Sequence, residues 1–136
     1  DPVVLTGADD MFDERSSFSE SVRNSIGGET YNIPLNPGED VINNMTGKCR
    51  DAETVIIGTY NANLNCGQQS LVNSIYEVNP KIIVVSLRNP YDILMFKQIP
   101  SYICAYEYTP LSIKSIIKVI KGEIKAEGRL PVKITL

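Results

Sequence analysis

Residues 81–92, KIIVVSLRNPYD, decide the fold. Ile82, Ile83, Val84 and Val85 form an unbroken apolar run, which suits a strand covered on both faces of a parallel sheet. Ser86 to Asn89 then leave the sheet. Pro90 can open the next helix, because a missing N–H costs nothing at the first helical position. In an open α/β sheet, ligands are met at the carboxyl ends of the strands. Arg88, Asn89 and Asp92 therefore fall where a binding site would fall. Arg88 is suited to clamp a carboxylate or another domain; its other reading is an ion pair with Asp92 one turn on.

Working outward, strand and helix signals alternate along the chain. Val3–Leu5 is the first predicted strand, followed by an acidic loop with Asp9, Asp10, Asp13 and Glu14. Ser17 and Glu20 make a capping box, and Phe18, Val22 and Ile26 place an apolar face on the helix that Gly27-Gly28 ends. Tyr31–Leu35 reads as the second strand. Asn36 is a predicted cap for the next helix, with Pro37 at its first position, Glu39 and Asp40 in its first turn, and Gly47 as its stop. Thr54–Gly58 is the third strand, the loop Tyr60–Asn65 is rich in asparagine, and a helix is expected over Gly67–Val78. Beyond the central strand the reading is a short helix to about Gln98 and a strand over Tyr102–Tyr106. Thr109-Pro110 then opens a helix bearing Ile113, Ile116, Ile117 and Ile120, ended by Gly122, and the last strand is Leu130–Leu136. Lys114, Lys118 and Lys121 lie on the other faces of that helix, read as a solvated surface.

Five strand–helix units and a closing strand define a three-layer α/β/α sandwich. Its sheet is expected to hold five to six strands, mostly parallel, with helices on both faces. Residues 1–136 are expected to form one domain, large enough to enclose a core. The chain enters its first strand at Val3 with almost no leader, which suggests a trimmed domain or a piece of a longer protein.

Composition narrows the chemistry. The hydrophobic fraction is 43%, the charged fraction 21% and the net charge −3, without a basic cluster, so neither nucleic acid nor membrane insertion is expected. There is no histidine, which removes Ser–His and Cys–His nucleophilic pairs and most zinc sites. The three cysteines, Cys49, Cys66 and Cys104, are scattered and read as buried thiols. Neither GxGxxG nor GxxxxGK[ST] follows a strand, and no cofactor or metal is expected. A signalling receiver domain would need an aspartate after the third strand and a lysine after the fifth; Thr59-Tyr60-Asn61 and Glu107-Tyr108 stand there instead. The first-loop acids read as a solvated, dipole-favoured cluster. Asn61, Asn63 and Asn65 offer neutral donors and acceptors suited to sugar hydroxyls. They equally suit a loop whose turns need Asx hydrogen bonds or left-handed backbone.

Four stretches together are familiar: the buried strand ending in SLRNPYD, the strand CAYEYTP, the isoleucine-rich helix with GE after it, and EGRLPV. With VIIGTYNANLNCGQQSLV, they resemble the C-terminal domain of glycoside hydrolase family 3, nearest to the bacterial β-N-acetylhexosaminidase branch. The resemblance covers essentially the whole chain. It implies a non-catalytic domain that packs on an N-terminal TIM barrel of the same parent and borders the active site. The barrel, absent from this chain, would carry the aspartate nucleophile. In many members a glutamate of this domain is the acid/base, whereas the hexosaminidase branch uses a histidine on a barrel loop. No glutamate here aligns with that role; Glu107 comes nearest in position, and no catalytic residue is carried over. The alternative is a stand-alone carbohydrate-binding or regulatory α/β module without hydrolase activity. Carbohydrate contact is placed at Asn61, Asn63, Asn65, Arg88, Asn89 and Asp92, and neither reading fixes a compartment.

Overall fold

The computed structural model describes residues 3–6, 18–87, 95, 96, 98, 99, 101–104, 110–125 and 133–135. Six strands, β1 (Val3–Thr6), β2 (Glu29–Asn32), β3 (Val55–Thr59), β4 (Ile82–Ser86), β5 (Ser101–Cys104) and β6 (Lys133–Thr135), form one open sheet in the order β2-β1-β3-β4-β5-β6. Every pairing is parallel, so the expected mostly parallel sheet is parallel throughout its described strands.

The apolar runs explain the layers. All residues of β3, β4 and β5 are buried, because alternate side chains enter opposite cores. Val55, Ile57, Ile82, Val84 and Tyr102 face Met45 and Cys49 of α2 (Glu39–Cys49) and Leu71, Val72 and Ile75 of α3 (Cys66–Val78). Ile56, Ile83, Val85 and Ile103 face Phe18 and Val22 of α1 (Phe18–Ile26) and the isoleucine stripe of α4 (Pro110–Lys125). Helices on both faces, three layers, two cores: the sequence pattern carries over directly.

Several boundaries differ, each for a physical reason. The second strand is Glu29–Asn32, not Tyr31–Leu35. It ends two residues before Pro34, which has no N–H to give a ladder, and Ile33 turns into the core as a loop residue at 3% exposure. The helix α2 starts at Glu39 behind Gly38, whose carbonyl accepts from Ile42 N at 3.0 Å, with no side-chain cap. Asn36 is therefore not its cap. Gly47 and Gly122 do not stop their helices, which run on to Cys49 and Lys125. A glycine inside a helix costs only about 1 kcal/mol against alanine, which packing overrides. By contrast, Gly27 and Gly28 do end α1, at φ 91° and 101°, where a side chain would be strained. Cys66, at the start of α3, is exposed, unlike Cys49 and Cys104. Ser17, Thr109 and the first residues of the helix expected after Pro90, up to Leu94, lie outside the described residues.

Candidate functional site

The strand order fixes where to look. From β1 the chain steps to β2 on one side, then places β3 on the other, so the order reverses between β1 and β3. The carboxyl ends of such a pair border the crevice that doubly wound folds use for ligands. Thr59 ends β3 there, and the asparagine loop follows it.

That loop is a turn braced by its own side chains. Asn61 has φ 52°, the one non-glycine residue with positive φ among those described, a conformation asparagine tolerates better than most residues. Its carbonyl accepts from Leu64 N at 2.9 Å and from Asn65 Nδ2 at 2.9 Å. The Ala62 carbonyl accepts from Asn65 N at 3.2 Å and Gln69 Nε2 at 2.8 Å. Asn63 and Leu64 form the exposed tip, with Leu64 77% accessible. Asn61 and Asn65 thus serve the turn itself. Arg88, Asn89 and Asp92 lie outside the described residues, as do the first-loop acids Asp9, Asp10, Asp13 and Glu14.

Below the tip sits a buried amide the sequence reading passed over. Gln68, 2% exposed, donates from Nε2 to Leu35 O at 2.6 Å and Tyr60 O at 2.9 Å, while its Oε1 accepts from Tyr60 N at 2.9 Å. Its nitrogen and its oxygen are both taken by backbone, as burial of a polar group requires. One residue earlier, Gly67 N donates to Asn36 Oδ1 at 2.7 Å. Asn36 therefore caps α3, across 31 residues, and not the helix that follows it. A Cβ on Gly67 would come within 2.3 Å of Pro37 O. The sequence signal for this arrangement was Gly67-Gln68-Gln69 just inside a helix start, where a glycine has no turn to make.

These bonds join the loops after β2 and β3 into one platform. The Gly67 amide N–H at the start of α3 is already taken by Asn36, so this helix terminus is served from within the chain. The groups with shifted pKa lie elsewhere. Burial pushes the Cys49 thiol up to about 11. The Tyr31 phenol is held above its ordinary value mainly by donating to Glu29 Oε2 at 2.7 Å. Among the described residues no group of three or more Cys, Asp or Glu side chains converges as a metal site would, and no helix is long and apolar enough to cross a membrane.

The fold and this platform define a doubly wound α/β domain with its strand ends bridged by side-chain amides. Two solved structures share the fold. One is a glycoside hydrolase family 3 β-N-acetylglucosaminidase from Paenibacillus sp. str. FPU-7, at TM-score 0.75 and 22% identity, matching 90% of this chain and 25% of its own. The other is a fungal multi-domain GH3 β-N-acetylglucosaminidase, described as having a unique GCN5-related glucosamine N-acetyltransferase region. It matches at TM-score 0.70 and 28% identity, over 98% of this chain and 15% of its own. Neither a protein-family model nor a curated protein matches the chain. The likeness is consistent with the family 3 C-terminal resemblance, and this chain spans about a quarter or less of each neighbour.

Proposed function

We propose that this chain is a non-catalytic domain of a family 3 glycosidase of the β-N-acetylglucosaminidase kind, packed against a catalytic barrel of the same parent. The observation that carries the reading is the pair of fold neighbours. Both are described as family 3 β-N-acetylglucosaminidases, and nearly all of this chain is matched by a minor part of each. The residues agree with it. A retaining glycosidase needs two carboxyls about 5–5.5 Å apart, and the braced turn after β3 offers amides and a leucine in place of acids. Leu64, exposed on a braced tip at the strand ends, is an apolar contact available to a neighbouring domain. The natural coding sequence tests the assignment. A barrel-encoding stretch in the same reading frame supports it; a frame encoding this domain alone overturns it.

The exposed position of Asn63 beside the topological switch favours a second reading, in which the strand ends border sugar. Asn61, Asn63 and Asn65 would contribute from the turn, and Arg88, Asn89 and Asp92 from the stretch after β4. Titration of the isotope-labelled chain with N-acetylglucosamine, followed by amide NMR, tests it. Shifts confined to these two stretches support the reading, and their absence at millimolar sugar ends it.

A further inference from the structure

We propose that the loops after β2 and β3 are locked into one cooperative unit, with Gln68 as the lock, so that the surface they carry is preformed and opens only as a whole. The inference concerns how that surface behaves, and it rests on the reading above that the strand ends face a partner. The anchoring of each loop argues against a lid. After β2, Ile33 enters the core under α2 and α3 at 3% exposure, while Leu35 packs against the core under α1 and α4. After β3, Tyr60 enters the second of these cores at 3% exposure and Ala62 the first at 0%. Each loop thus spans the end of the sheet and holds one side chain in either core. Lifting either loop uncovers apolar surface on both faces at once.

Polar bonds then join the two loops to each other. A single carboxamide serves both: Gln68 Nε2 donates to Leu35 O at 2.6 Å and to Tyr60 O at 2.9 Å, and its Oε1 accepts from Tyr60 N at 2.9 Å. Asn36 Oδ1 adds a second bridge by accepting from Gly67 N at 2.7 Å. Were one loop to leave alone, Gln68 would keep only part of its bonds at a place where it is 2% exposed. A partly satisfied buried network is unfavourable, so its members separate together. Asn36, Asn63, Leu64 and Cys66 are exposed on this unit. A partner meets them already in place, with no loop to order on binding.

Native-state amide exchange of the isotope-labelled 136-residue chain in low urea tests this without any ligand. Tyr60 N–H reports the bond on the β3 side, and Gly67 N–H the bond to the loop after β2. The two are expected to share one opening, with opening constants within about threefold of each other and the same dependence on urea. Asn36→Ala removes only the second bridge, yet it should speed exchange at Tyr60 about fivefold, the fold-change of a lost cap. Asn36→Asp keeps an acceptor and should return Tyr60 to within about twofold of the parent. Asn36 is exposed, and an unchanged circular dichroism spectrum will show that both variants are folded. Opening constants about tenfold or more apart would overturn the proposal, because the loops would then move separately. Tyr60 exchange in Asn36→Ala that matches the parent would overturn it too. No sugar, barrel or parent polypeptide enters the measurement. Its failure therefore leaves the family reading standing, and failure of that reading leaves this result untouched.

Discussion

The side-chain oxygen of Asn36 accepts the backbone N–H of Gly67 at 2.7 Å, tying the loop after β2 to the first turn of α3. Gly67 is buried against that loop, and no larger residue fits: a Cβ there would meet Pro37 O at 2.3 Å and Asn36 Oδ1 at 2.6 Å. The loop after β3 stands at the reversal of strand order, and the contact ties to it the loop that follows the edge strand β2. The contact therefore helps set the shape of the strand-end surface.

Gly67→Ala should cost about 1–3 kcal/mol, since the backbone of Pro37 must move to admit a methyl group. Asn36→Ala should cost about 1 kcal/mol as a lost helix cap, and Asn36→Asp should keep most of the bond. Urea unfolding of the three variants checks the order, with Gly67→Ala the least stable. A Gly67→Ala as stable as the parent would mean that the two loops are not in contact.

Gln68→Leu should be more damaging than its volume suggests. It strands Tyr60 N, Tyr60 O and Leu35 O, which now bond to one amide. Each unsatisfied buried group costs about 1–3 kcal/mol, so a loss of at least about 3 kcal/mol is expected in the same unfolding assay.

The turn tip separates backbone strain from side-chain chemistry. Asn61 holds φ 52°, so Asn61→Gly should change stability little, while Asn61→Val should cost about 1–2 kcal/mol. Asn63→Ala, at an exposed position, should stay within about 0.5 kcal/mol. Thermal melts of the three variants give the comparison.

The cysteines should divide by burial. Cys66 is exposed, while Cys49 and Cys104 are buried. A thiol-disulfide reagent at pH 8 should therefore label one thiol rapidly and the other two only on unfolding. Alkali should expose Cys49 thermodynamically. Its folded pKa is raised from 9.0 to about 11 by burial. Between those values the unfolded state loses the proton first, so the native state binds more protons and stability falls as pH rises. Below pH 9 the group contributes no slope. Cys49→Ala should flatten the decline between pH 9 and pH 11 relative to the parent.

Much of the architecture was readable because buried parallel strands leave continuous apolar runs, as in Val55–Ile57, Ile82–Val85 and Tyr102–Ile103. The edge strand Glu29–Asn32 was misplaced because ETYN has no such run; it is defined by pairing with β1. Gly47 and Gly122 misled because helix packing outweighs a modest propensity. At the strand ends, the asparagine turn was visible, and its left-handed and Asx chemistry is what Asn61 and Asn65 display. The Asn36 cap and the Gln68 clamp were hidden, since each bridges residues about thirty apart or joins groups whose nearness only the fold creates. A local reading assigns a capping residue to the nearest helix, and here that helix is the wrong one.

The central claim is that this domain needs a catalytic partner. The most direct measurement is release of nitrophenol from a chromogenic N-acetylglucosaminide by the isolated 136-residue chain, run beside the complete natural polypeptide. Turnover is expected from the complete polypeptide, and none above buffer from the isolated chain. Clear turnover by the isolated chain, abolished by a substitution within it, would contradict that claim.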